Sequence, residues 1–228
     1  MSVVLGFDTA TAFVTVAVAD GDDVLAAAEH GPDEAGRPRA SELLLAEVER
    51  LVADAGGWER IGRIAVGIGP GSFTGLRIGI ATARGLAQGR ELPIAGVTTV
   101  DALARGIREA HPGRAALAVL DARRREAFAA QYEEGGERSW GPAVLDPDEL
   151  AERAAGLDPP PLAAGDGSVR FREQLEAAGV NVADSEDPVH RVVARHVCAL
   201  GSEQPAGAPA AIEPLYLRVP DADRWQRR

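Results

Sequence analysis

Residues 67–79 read Gly67-Ile68-Gly69-Pro70-Gly71-Ser72-Phe73-Thr74-Gly75-Leu76-Arg77-Ile78-Gly79. Residues 63–67, just before the glycines, have the length and apolar content of a short buried strand; from Thr74 or Gly75 to about Gln88 apolar residues recur at helical spacing. A glycine-rich turn between strand and helix can present free N–H groups, and the positive end of the helix dipole, to an anion. The dinucleotide-binding turn is a poor match, because Pro70 removes an N–H and no acidic residue ends the next strand at Val97. Ser72 lies in Gly-Ser-Phe-Thr-Gly rather than in the G-x-S-x-G nucleophile elbow, so serine hydrolase chemistry is unsupported.

Outward from this unit, residues 3–7, 13–19 and 24–28 form a three-strand meander, and residues 29–39, with Gly31, Pro32, Gly36 and Pro38, form a loop. A helix opens at Ser41-Glu42, runs to about Ala55 and ends at Gly56-Gly57. After the central helix, residues 92–97 form a strand, and Thr98-Thr99-Val100-Asp101 caps a helix through Ala110. The second half repeats the theme: paired strands at 115–120 and 126–132, a short strand at 143–145, and a helix at 147–155. A strand then leads into Gly165-Asp166-Gly167, followed by helices at 168–178 and 189–200 and an extended segment at 212–217. A hairpin followed by alternating helices and strands, occurring twice, predicts an α/β chain of two related lobes. The lobes are residues 1–112 and 113–228, with the last segment packing back on the first; a single doubly wound sheet is the alternative.

Composition narrows the function classes. The 228 residues are 46% hydrophobic and 26% charged, enough to build a real core. A net charge of −11 means that nucleic acid can be engaged only through a local basic patch or a basic partner. No lysine occurs, which excludes P-loop and Schiff-base lysines. The single cysteine, Cys198, sits in an apolar helical pattern and reads as a buried thiol of a cytoplasmic protein. The opening segment lacks the positive region of a signal peptide, and no apolar run reaches the roughly 18 residues of a membrane span. His30, His111, His190 and His196 show no metal-ligand spacing, so no metal site is expected.

Three features carry functional readings. Asp8-Thr9-Ala10-Thr11 joins two strands where sugar-kinase-like ATPases place a phosphate hairpin, making Asp8 and Thr9 candidate vestigial nucleotide contacts, with Ala10 standing where a glycine is usual. The alternative is a plain hairpin turn. Arg123, within Arg123-Arg124-Arg125, is a candidate phosphate or carboxylate contact. Gly75, Gly79, Ala83 and Ala87 form a strip of small residues along the second helix, inviting close approach by another helix or packing onto the chain's own sheet. The first helix spreads Leu43, Leu44, Leu45, Val48, Leu51 and Val52 over more than one stripe. Together the two helices predict a partner face made of Ser41, Leu44, Leu45, Val48, Gly75, Ile78, Gly79, Thr82, Ala83 and Leu86.

The string GPGSFTGLRIG, with GFDTATAFVTVAV at 6–18, SELLLAEVERLV at 41–52, GLAQGRELPIAGVTTVDALA at 85–104, DARRREAF at 121–128 and PLYLR at 214–218, resembles the TsaB family over nearly the whole chain. The resemblance implies a two-lobed actin- and sugar-kinase-like (ASKHA, ribonuclease H-like) fold and a non-catalytic dimerisation subunit, inactive alone. Such subunits pair through their first two long helices with a catalytic TsaD-type subunit, joined by a TsaE-type ATPase. The complex transfers a threonylcarbamoyl group to the adenosine beside the anticodon in tRNAs reading codons that begin with A. ATP or ADP and a metal ion then belong to the partner subunits, and tRNA is met only through the complex; the sequence leaves open both a homodimer and a monomer for the isolated chain. Many relatives carry a histidine before the serine of the first helix; Ala40 stands there in this chain, which weakens a metal-dependent peptidase reading. A small-molecule kinase is the other competing class, and it lacks an acidic base in a recognisable second phosphate loop.

Overall fold

The computed structural model describes residues 3–156 and 159–218. Two five-stranded sheets of matching topology lie side by side. The first contains β1 (Val3–Asp8), β2 (Val14–Asp20), β3 (Asp23–His30), β4 (Ile61–Gly69) and β5 (Ile94–Thr98), ordered β3-β2-β1-β4-β5. The second contains β6 (Ala116–Asp121), β7 (Ala127–Tyr132), β8 (Arg138–Leu145), β9 (Leu162–Ala164) and β10 (Asn181–Val182), ordered β10-β9-β6-β7-β8. In both, an antiparallel meander is followed by parallel strands on the other side of the first strand. This is the duplication expected from the sequence, and it decides for two lobes over a single sheet.

Burial explains the strand sequences. Central β1, with helices over both faces of its sheet, is buried at every position and reads as an apolar run up to Asp8, whereas edge strand β3 leaves Val24 and Leu25 exposed. Helices α1 (Ala40–Asp54) and α2 (Phe73–Gly89) cover the outer face of the first sheet. Helices α4 (Pro147–Ala154) and α6 (Arg172–Ala177), with short α5 (Asp166–Arg170) beside β6, belong to the second. Between the sheets lie α3 (Thr99–Ala110) and α7 (Ala194–Glu203). Full burial of Leu103 and Ile107 of α3 in that central layer stabilises by about 1.5–3 kcal/mol each. Thr98 caps α3 by accepting from the Asp101 N–H at 3.2 Å, as the sequence predicts.

The chain-order boundary at 112/113 needs refinement. Helix α7 packs on the first sheet: Ala194 N–H donates to Thr15 Oγ1 at 2.9 Å, and Gly6 and Gly201 let the helix and sheet approach, since a Cβ on Gly6 would lie 2.6 Å from Cys198 Sγ and one on Gly201 would lie 2.3 Å from Ala65 Cβ. The following strap also stays with the first lobe, Leu215 N–H donating to Ile68 O at 2.7 Å. Smaller departures are local. The helix expected at 189–200 begins only at Ala194, after a 3-10 turn at Pro188–His190, and β8 starts at Arg138 rather than near 143. The two-residue β10 and the 3-10 turn at Trp58–Arg60 carry too few residues for periodicity to reveal.

Cys198 is buried as expected, and burial pushes its thiol up to about 12. His196, 2% exposed on α7, faces Gly106 of α3, where an added Cβ would lie 3.2 Å from the ring; burial, assisted by Arg195, lowers its pKa to about 4 despite Glu109 at 3.5 Å. The unfolded chain therefore takes up this proton near pH 6.5 while the folded chain waits until about 4. Stability from this residue is present above pH 6.5 and is lost as pH falls toward 4, by on the order of 3 kcal/mol in all. Urea unfolding of the wild type and His196→Gln across that window is expected to show a shallower decline for the variant; parallel curves would refute the assignment.

Candidate functional site

The carboxyl ends of β1, β4, β6 and β9 converge on a cleft of about 820 Å³ between the lobes. One wall is the turn Ala10-Thr11-Ala12 with the start of α2; the other is the β6–β7 hairpin and Asp166; Leu215 to Arg218 of the strap line the cleft as well. The glycine-rich turn folds as it does because its backbone must pass close to the β1–β2 turn. A Cβ on Gly71 would lie 2.3 Å from Ala10 O, and Ser72 N–H donates to that carbonyl at 2.7 Å. Ser72 then caps α2, its hydroxyl accepting from Gly75 N–H at 3.3 Å, and no acidic residue occupies the first turn.

Asp8 and Thr9, expected at the phosphate position, turn inward instead. Asp8 is 1% exposed, accepting from Ala10 N–H at 2.7 Å and from the Thr99 hydroxyl at 2.9 Å. Gly67 lies against the carboxylate, where a Cβ would be 1.9 Å from Oδ2, and burial raises the pKa. Thr9 is 2% exposed and donates to Gly75 O at 2.8 Å. Both residues tie β1 to α2 and α3, and the cleft surface begins only at Ala10. The plain-turn reading accounts for them better than nucleotide contact does.

Arg123 does line the cleft, its side chain 78% exposed and its guanidinium 3.5 Å from Asp121. Arg170 reaches the same carboxylate at 2.6 Å. Arg123, Arg124 and Arg125 adopt φ of 63°, 52° and 62° at the hairpin tip, a left-handed conformation costing non-glycine residues about 1–2 kcal/mol each. Among the described residues no group of three or more His, Cys, Asp or Glu could hold a metal, and no helix is long and apolar enough to cross a membrane.

The expected partner face divides into two sets. Leu44, Val48, Gly75, Gly79 and Ala83 are buried inside the chain, so they cannot form a surface. The small-residue strip is needed by the fold: a Cβ on Gly75 would meet Thr9 O at 1.9 Å, and one on Gly79 would meet Thr9 Oγ1 at 2.4 Å. Ser41 and Leu45 are exposed, Leu45 at 56%, and Ile78, Thr82 and Leu86 are part-exposed. Beside them the sequence reading missed a second small-residue row, Ala81, Gly85 and Gly89, all exposed, with open space where Cβ atoms on the two glycines would stand. Its signal was the polar neighbours Arg84 and Gln88, which mark that face as outward, whereas Leu76 and Ile80 mark the inward one.

Comparison with known proteins fits this geometry. A family model described as TsaD: tRNA N6-adenosine threonylcarbamoyltransferase matches residues 31–183, more than half of the chain. The tRNA threonylcarbamoyladenosine biosynthesis protein TsaB of Escherichia coli is 32% identical over 222 residues, covering 94% of each chain. Among solved structures, YeaZ from Pseudomonas aeruginosa superposes with a TM-score of 0.78 at 26% identity, covering 95% of this chain and 100% of its own. A ROK hexokinase from Thermus thermophilus, at 15% identity and a TM-score of 0.53 over 88% of this chain and 98% of its own, shares the fold alone. The two-lobed architecture is the actin- and sugar-kinase-like one.

Proposed function

The chain belongs to the TsaB family and takes part in making threonylcarbamoyladenosine in tRNA, and from that premise we propose that it is the dimerisation subunit of the complex, activating a TsaD-type catalytic subunit without performing the transfer itself. The observation that carries this reading is the outward face of α1 and α2. On α1 Leu45 stands 56% exposed, and on α2 Ile78 and Leu86 are part-exposed while the row Ala81, Gly85 and Gly89 lies open. Exposed apolar side chains around backbone that lacks Cβ atoms suit close packing by helices of another subunit. The same face lets the isolated chain pair with itself. In this reading the TsaE-type ATPase joins the pair, ATP or ADP and the metal ion belong to the partner subunits, tRNA is engaged by the assembled complex, and assembly takes place in the cytoplasm.

Size-exclusion chromatography with light scattering, on the chain alone and mixed with the catalytic subunit of the same organism, tests the proposal when followed by a tRNA threonylcarbamoylation assay. A 1:1 complex is expected, with modification only in the mixture. ATP hydrolysis by the chain alone, with no complex formed, would replace the scaffold by a kinase of the same fold.

A further inference from the structure

The cleft between the lobes gathers positive charge in a chain whose net charge is −11. Arg77, Arg123 and Arg218 line it, Arg170 pairs with the lining residue Asp121, and Arg124 and Arg125 follow Arg123 in the hairpin tip; the carboxylates of Asp121, Asp166 and Glu126, the last paired with Arg218, oppose them. Burial, with Asp121 close by, raises the Asp166 pKa. The three hairpin arginines sit where the chain turns after Ala122, whose N–H donates to Glu126 O at 3.0 Å. Arg218 reaches over from the strap to donate to Ala122 O at 2.8 Å, fixing the hairpin against the cleft.

A second, independent feature lies on the same cleft. Phe73 and Tyr216 are each 40% exposed, and they are the aromatic members of the short set of large apolar side chains left in solvent among the described residues. Their ring centroids are 5.2 Å apart, and the Arg77 guanidinium lies 3.9 Å above the Phe73 ring. Exposed planar groups beside a row of guanidinium groups form a platform for unpaired bases with cations for the phosphates between them.

We propose that this rim binds a single-stranded segment of RNA, with Arg123 and Arg125 on backbone phosphates and the Phe73, Tyr216 and Arg77 stack against unpaired bases. The inference deepens the reading that the chain serves tRNA modification, supplying a direct contact where that reading leaves tRNA to the assembled complex. Fluorescence anisotropy with substrate tRNA, over a salt series, tests it on the chain alone at low salt and on its mixture with the catalytic subunit. Arg123→Ala/Arg125→Ala keeps the same backbone burden and removes two charges, so the slope of log affinity against log salt is expected to shrink by about 1.5. Phe73→Ala/Tyr216→Ala is expected to weaken binding at least about 5-fold with little change of slope.

Unchanged affinity and slope in both variants, in both settings, would overturn the proposal. So would loss of heterodimer formation by the arginine variant with tRNA affinity intact, because the rim would then face an acidic protein surface. If the wild-type chain failed to pair with the catalytic subunit, the subunit reading would fall, while the measurement on the chain alone would still decide the rim.

Discussion

Gly75→Ala is expected to lower the melting temperature by on the order of 10 °C, the consequence of about 3 kcal/mol of overpacking in a chain of this size. The added Cβ would stand 1.9 Å from Thr9 O, and the two residues are also joined by the Thr9 hydroxyl donating to Gly75 O. Neither side can yield cheaply. Thr9 follows central strand β1 directly and is 2% exposed, and Gly75 lies in the first turn of α2, held by the Ser72 cap. Gly79→Ala meets only the Thr9 hydroxyl, at 2.4 Å, which can rotate at the cost of its hydrogen bond, so its loss should be smaller. Gly85→Ala is the control: nothing lies within 4 Å of its Cβ, and alanine is the better helix former by about 1 kcal/mol. Thermal unfolding followed by circular dichroism orders the three. A Gly75→Ala protein melting within a few degrees of wild type would show that the glycine is not required by the approach of α2 to β1.

What the sequence revealed, and what it hid, follows from how local each signal is. The strand–turn–helix unit around Gly67 to Gly79 was legible because the apolar run, the glycines and the helical period lie within one continuous stretch. The lobe duplication was legible for the same reason, each half repeating the hairpin and the alternation that follows. The direction of each helix face was harder to read, since i and i+4 spacing shows that residues share a face but not which way it points. Two small-residue rows run along α2, and beyond the polar neighbours Arg84 and Gln88 it is the tertiary packing that assigns Gly75, Gly79 and Ala83 to the core and Gly85 to the surface. The burial of Asp8 was hidden for a related reason. Its partners Thr99 and Gly67 lie far away in sequence, and only the closed fold brings them together to bury it. The placement of α7 against the first sheet depends likewise on Thr15 and Gly6, neither of which advertises a helix partner.

The two faces of α2 give the partner-face proposal its sharpest test. Gly85→Trp and Leu45→Arg both change residues that lie on the outer surface, so each variant is expected to fold with a melting temperature near that of the wild type. At an interface the outcome differs. A tryptophan at position 85 holds apart helices that need bare backbone to approach, and an arginine in place of a 56% exposed leucine puts an unpaired charge where apolar groups should meet. Each is expected to weaken the complex with the catalytic subunit at least about 30-fold, matching the 2 kcal/mol that marks a binding hot spot. Titration calorimetry reads the affinity, and the threonylcarbamoylation assay at subunit concentrations near the wild-type Kd should fall in parallel. Wild-type affinity in both variants would move the partner face off α1 and α2. Lost affinity with full modification would mean that the chain activates its partner without staying bound. Either result separates cleanly from the Gly75 experiment, because that residue acts on the stability of the fold and these act on a surface the fold leaves open.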